Sequence, residues 1–260
     1  MALNGPAARM GAKILLSLIP LTALVIFWYC AMYFGSPYLR QFMPWPGQTA
    51  MVFFNLLLSG ELIGHAMSSI GRVLLGLSLA AVVGIPLGIL IGRFWTVRAA
   101  FGPTFDFLRP IPIAAWVPLS IMLFGIGEVP AISLVFLGCL YPIVLNARDG
   151  VTAVDPIHLR AAGMLGAGPM QILLRVVLPS ALPSIITGLR QALSIGWWVV
   201  ILAELLAVRS GLGYLMIHAQ QLWEPATIIS CMIAIGVIGI GMNYVTGVAE
   251  KYLLRWRATS

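Results

Sequence analysis

The chain has 260 residues, of which 60% are hydrophobic and only 9% charged, against roughly 45–50% apolar and about 25% charged in a soluble domain. That balance, with a mean hydropathy of +1.00, excludes a water-soluble monomer and a disordered chain, and leaves a polytopic all-α membrane protein with no room for a soluble catalytic domain. The net charge of +7 comes from basic residues scattered singly, without runs or aromatic interleaving, so it argues against nucleic acid and bears on membrane topology instead.

The first apolar run, residues 14–34, follows Arg9 and Lys13 in the manner of a secretory signal. It is too long for one, and Phe27, Trp28 and Tyr29 are not the small residues of a cleavage site, so it reads as a retained first span. Residues 35–48, rich in Pro, Gly and aromatics, read as an interfacial loop, and residues 49–58 as a short amphipathic helix. The second span, about 67–92, carries Gly84, Gly88 and Gly92 at four-residue spacing around Pro86, a small-residue stripe that lets another helix approach closely. Spans three and four are expected at about 107–124 and 132–145, separated by a turn at 125–130, span five at about 182–207, and span six at about 227–248. Cys30, Cys139 and Cys231 fall in apolar runs without metal or redox spacing and read as small buried hydrophobes.

Six spans place both termini on one side. Arg40, Arg72 and Arg209 then fall on the opposite side and the other twelve of the fifteen Lys and Arg on the side of the termini. The positive-inside rule makes that side cytoplasmic, together with the connection between spans four and five.

That connection, residues 146–178, is the longest polar stretch and has its own helix signals. Asp155 is placed to cap a helix opened by Pro156, and Ile157, Ala161 and Met164 share one of its faces. Gly166 and Gly168 end it, Pro169 opens a second helix to about residue 177, and Pro179 and Pro183 mark the entry to span five. Connectors are usually a few residues long, so a structured insertion of this length predicts a docking surface.

The segment HLRAAGMLGAGPMQILLRVVLPSALPSIITGLR, residues 158–190, resembles the EAA loop of binding-protein-dependent ABC importer permeases, with its Ala-Ala pair, its following Gly and its closing Leu-Pro-x-x-x-Pro. LLGLSLAAVVGIPLGILIG, LRPIPIAAWVPLSIMLFGIGE, YPIVLNARDGVTAVDP and AELLAVRSGLGYLM resemble the branch of that family serving nitrate, sulfonate, taurine and bicarbonate importers. The resemblance implies a coupling helix in the groove of a cytoplasmic ATPase, two copies of which hold ATP and Mg, a second permease copy, and an extracytoplasmic solute-binding protein, all at the inner membrane. Arg160, Ala161, Ala162, Gly163, Gly166 and Ala167 match the motif positions that would sit in that groove. Arg160 stands where the motif has its leading acid, so close packing at Ala161, Ala162 and Gly166 is expected to carry the contact.

The residues agree with an external energy source. A P-loop needs Gly-Lys followed by Ser or Thr, whereas Lys13 precedes Ile14 and Lys251 precedes Tyr252. His65, His158 and His218 form no metal pair, and no nucleophile elbow is present. The chain is therefore expected to be no enzyme and to bind no cofactor or metal itself. A proton-coupled carrier is the rival reading. It would need an ionisable group inside a span, for which Glu204 is the best residue; the same carboxylate could instead sit near the outer interface and pair with or cap the segment 210–213.

Span five, with Thr187, Arg190, Gln191, Ser194, Trp197 and Trp198, is the expected pathway lining. Arg190 reads either as a guide for an anion or as a topology arginine, and Trp197 with Trp198 either as an apolar gate or as packing. The segment 211–223 reads as an outer re-entrant helix facing a binding protein. The function expected is ATP-driven import of a small anion of the nitrate, sulfonate or bicarbonate class, with a neutral pyrimidine or vitamin precursor as the alternative.

Overall fold

The computed structural model describes residues 6–254, in which helices are joined by short turns and no strand occurs. In chain order the helices are α1 (Pro6–Phe34), α2 (Pro37–Phe42), α3 (Pro46–Leu58), α4 (Glu61–Arg93), α5 (Trp95–Leu108), α6 (Val117–Phe124), α7 (Glu128–Thr152), α8 (Pro156–Met164), α9 (Pro169–Ile172), α10 (Leu178–Leu206), α11 (Leu212–Gln221) and α12 (Pro225–Leu253). Among the described residues four stretches are long and apolar enough to cross a membrane: Glu61–Arg93, Glu128–Thr152, Pro169–Leu206 and Pro225–Tyr252. The pair Trp95–Leu108 and Ile113–Phe124 makes a fifth only if its 93° bend is counted as one broken span. The expected first span lies within α1, where Thr22–Phe34 is the apolar stretch described. Arg255 and Arg257, and the side chains of Arg9 and Lys13, lie outside the described residues.

The core is three helices held at glycine distance. A Cβ on Gly84 would stand 3.0 Å from Ile143 Cγ2, one on Gly88 2.6 Å from the Val144 carbonyl oxygen, and one on Gly92 2.8 Å from Val151 Cβ. The stripe expected from the sequence therefore exists and α7 lies along it, its partners rising in the same order, so α4 and α7 run parallel. Gly150 faces Ser184, Gly188 faces Asn146 and Gly196 faces Cys139; here the order reverses, and α10 packs antiparallel on α7. Val73, Ala80, Val135, Ala192 and Val200 fill the centre of this trio. Helix α12 lies outside it, antiparallel to α10, with the indole Nε1–H of Trp197 donating to the Ile235 carbonyl at 3.2 Å.

Several boundaries differ from those read in the sequence. The interfacial loop at 35–48 contains α2 and the start of α3. The third span is broken at 109–112, because Pro110 and Pro112 have no N–H to donate and Pro112 is extended (ψ 139°); α5 continues the helix on the near side of that break. Pro179 and Pro183 do not interrupt span five. The chain stays helical from Pro169 to Leu206 through a π turn at Leu173–Val177, where the Leu178 N–H donates to the Leu173 carbonyl. Cys139 and Cys231 are buried as expected, but Cys30 is exposed on α1.

Candidate functional site

At one end of the bundle α8 projects from the junction of α7 and α10. The Asp155 carboxylate accepts the Ile157 N–H at 2.8 Å and Pro156 occupies the first turn, where a missing donor costs nothing. Gly166 closes the helix in the left-handed region (φ 78°). Its N–H donates to the Gly163 carbonyl at 3.0 Å and that of Ala167 to the Ala162 carbonyl at 3.1 Å, the paired bonds of a Schellman ending. The Gly168 N–H then donates to the Gln171 side chain at 3.0 Å, starting α9.

Only Leu159 of α8 reaches the small core made by Val151, Val154, Val177 and Ala181. Arg160, Ala161 and Gly163 are exposed, Ala162 and Ala167 half-buried, and Ile157, Met164 and Leu165 present apolar surface, Met164 being 90% exposed. A Cβ on Gly163 or Gly166 would meet nothing within 4 Å. The eight loop residues singled out from the sequence thus form one self-capped, outward-facing unit.

At the opposite end sits a polar cluster that sequence reasoning did not assemble. Arg72 of α4, 2% exposed, uses all five guanidinium N–H groups. Nε and Nη2 grip the Glu128 carboxylate at 2.6 Å each, Nη1 donates to Glu204 at 2.6 Å and to the Ser210 carbonyl at 2.9 Å, and Nη2 also donates to the Ser210 hydroxyl. Glu204, fully buried, accepts further from the Ser69 hydroxyl and the Gly213 N–H, both at 2.9 Å. The Gly211 N–H donates to His65 Nδ1 and the Leu212 N–H to Ser69, each at 3.0 Å. The unpaired amides that open α11 are in this way satisfied by side chains of α4 and α10. A Cβ on Gly211 (φ 104°) would collide with the Glu204 carboxylate. The sequence carried two signals for this cluster: Arg72 lies inside a span, where an unpartnered guanidinium is costly, and Glu204 ends another apolar run, placed to pair with or cap the segment 210–213.

The expected pathway residues of α10 do not act as one group. Arg190 pairs with Glu250 of α12 at 3.0 Å, partly exposed. The Ser194 hydroxyl donates back to the Arg190 carbonyl at 3.3 Å. Trp197 is 6% exposed and packs in the core, while Trp198 is 80% exposed, because successive helix residues point about 100° apart. The two indoles form no shared gate within this chain. Among the described residues no cluster of three metal-ligating side chains occurs.

Residues 84–258 match the family model described as the binding-protein-dependent transport system inner membrane component. The chain belongs to that family. The permease is 40% identical over 250 residues to a putative ABC transporter permease protein of Methanocaldococcus jannaschii, covering 92% of this chain and 90% of the relative. It is 36% identical to the taurine transport system permease protein TauC of Escherichia coli K12, covering 74% and 70%, and 34% identical to the bicarbonate transport system permease protein CmpB of Synechococcus elongatus, covering 75% and 70%. In fold it is similar to a chain of the inward-facing MetNI methionine ABC transporter, with a TM-score of 0.63 at 16% identity, covering 72% of this chain and 93% of that one.

Membership makes the permease a multi-pass inner-membrane transport subunit of an ABC importer, not an enzyme; the ATPase is a separate subunit, and a solute-binding protein is the other partner. The matched region contains α7, α8, α10 and α12 of the permease, including Glu128 and Glu204. Arg72, which joins them, lies before it. Glu204 is buried with both carboxylate oxygens engaged, and the geometry fits the reading in which it pairs with or caps the 210–213 segment.

Proposed function

We propose that this permease imports a small oxyanion of the sulfonate or bicarbonate class, received from an extracytoplasmic binding protein and driven by two ATPase subunits that bind ATP and Mg, while this chain binds neither. A second copy of the chain completes the pore, and both termini lie in the cytoplasm with α8. The observation that carries the reading is the self-capped helix Pro156–Met164, built to project apolar side chains beyond the bundle while Leu159 alone holds it to the core. Relatives named for taurine, aliphatic sulfonates and bicarbonate support the substrate class, and the basic residues gathered at the α8 end support the orientation.

A tagged, detergent-solubilised permease recovered from its native membrane tests the assembly. The expected result is an ATPase subunit at one copy per permease chain, and ATP-dependent, salt-sensitive uptake that simple anions inhibit. Unchanged ATP hydrolysis after Gly166→Asp or deletion of residues 156–167 would refute the assignment of α8.

A further inference from the structure

Arg109 opens the break in the third span, and its guanidinium lies over the Tyr141 ring, 5.5 Å from the centroid. Tyr141 fixes the depth of that charge. On α7 it stands thirteen residues after Glu128, a member of the Arg72 cluster, and ten before Val151, which faces Gly92 at the other end of α4. At 1.5 Å per residue these separations are about 20 Å and about 15 Å. The hydrocarbon core is about 30 Å thick, so the charge lies inside the span and not at its end.

The groups at this depth lack partners. The guanidinium N–H groups bond to no described residue, and the Tyr141 hydroxyl is buried with no partner among the described residues. Pro110 and Pro112 are exposed, so the irregular backbone between α5 and α6 is left uncovered by this chain. Irregular backbone and an unpaired guanidinium are not tolerated against lipid tails; they occur where protein covers them or where they line a wet cavity. A cavity of about 310 Å³ is present at the break, walled by Phe105, Ile113, Trp116, Gly138 and Ile195, and among its described lining residues only Arg109 is ionised.

A single guanidinium in an apolar pocket without a carboxylate sets the class of ligand. A cation is repelled, and a neutral apolar solute leaves the donors unanswered. An oxyanion accepts two of them side by side. The volume is near the lower end of small-molecule sites, which suits an anion of a few heavy atoms.

We propose that the cavity at the break of the third span binds the oxyanion in transit, with the Arg109 guanidinium donating to its oxygens and the Tyr141 ring holding the guanidinium in place. The proposal rests on the import reading above and adds the residue that selects for charge. A carboxylate of a second copy of the chain is the competing partner for Arg109.

The test uses the complete importer in vesicles, with Cys30→Ser removing the exposed native thiol. Arg109→Cys is expected to lower ATP-driven uptake of the transported anion, whether taurine, nitrate or bicarbonate, at least tenfold. Its Tm in detergent and its ATPase co-purification are expected to stay parental, because the side chain it replaces is exposed and unbonded. A water-soluble methanethiosulfonate bearing a trimethylammonium group returns a positive charge to the new thiol and is expected to restore at least a third of the parental uptake; the sulfonate-bearing reagent of similar length restores none. The transported anion should slow the cationic reagent at least threefold. No modification, modification indifferent to the anion, equal effects of the two reagents, or parental uptake in Arg109→Cys overturns the proposal. So does a parental dimer that splits into single chains on size exclusion once Arg109→Gln is introduced, the result a carboxylate of the second copy would give. Arg109→Lys keeps the charge and is expected to transport at least three times faster than Arg109→Gln; equal rates overturn the proposal as well. Absence of ATP-driven anion uptake by the parent would instead sink the import reading.

Discussion

Removing Arg72 is the sharpest probe of the end opposite α8. Arg72→Ala deletes five hydrogen bonds and leaves two carboxylates behind, but the two differ. The Glu128 side chain is 61% exposed and water replaces its partner, so its loss is worth no more than about 1 kcal/mol. Glu204 is fully buried and keeps only Ser69 and the Gly213 N–H, which leaves an uncompensated charge costing about 3–5 kcal/mol. For a chain of this size that is roughly a 6–20 °C fall in Tm. The assay is thermal unfolding of the detergent-solubilised permease, followed by tryptophan fluorescence and by size-exclusion recovery after heating. Three variants calibrate one another: Arg72→Ala shows the large fall, Glu128→Gln a small one, and Arg72→Met with Glu204→Gln together recovers at least half of it, because no buried charge is then left unpaired. Equal falls for Arg72→Ala and Glu128→Gln, or no recovery in the double variant, would refute the reasoning.

Gly88→Ala sets a methyl against the Val144 carbonyl, which cannot move without shifting α7, and is expected to cost on the order of 1–3 kcal/mol; Gly102→Ala, with open space around it, serves as the neutral control in the same melt. Gly211→Ala should be more damaging than Gly166→Ala, since the first adds a clash with Glu204 to the left-handed backbone and the second carries the backbone cost alone, roughly 1–2 kcal/mol. Asp155→Ala removes the α8 cap, at a cost of about 1 kcal/mol, and is expected to weaken ATPase co-purification without lowering the Tm of the bundle by more than a few degrees. Arg160→Glu restores the acid of the motif at an exposed position; the expected result is an unchanged Tm with a changed salt dependence of ATPase binding, measured by titration between low and physiological salt.

What was legible in the sequence was local. Asp155, Pro156 and Gly166 announce the limits of α8 because caps act over three to five residues, and Gly84, Gly88 and Gly92 announce a close helix contact because their spacing follows the turn of a helix. The partner of that stripe was not legible. Nor was the Arg72 cluster, whose members lie 56 and 132 positions apart in sequence and meet only after three helices pack. Counting Arg72 as one charge on one side of the membrane gave a topology and hid its partners. For the tryptophan pair the sequence left gate and packing open: Trp197 and Trp198 are adjacent in the chain, and adjacency on a helix separates their side chains, one into the core and one outward. In the sequence Pro179 and Pro183 mark the entry to span five at about residue 182, but the helix already runs from Pro169.

The separation of Arg72 from its partners also sets an order of events during synthesis. Helix α4 leaves the ribosome carrying a guanidinium whose buried partner, Glu204, is 132 residues behind, which at about 5–20 residues per second is a wait of roughly 7–26 s. During that interval the only carboxylate partner that has been made is Glu128, 56 residues behind Arg72. The ion-pair cluster that joins α4, α7 and α10 can therefore be completed only when the last of the three helices has been made.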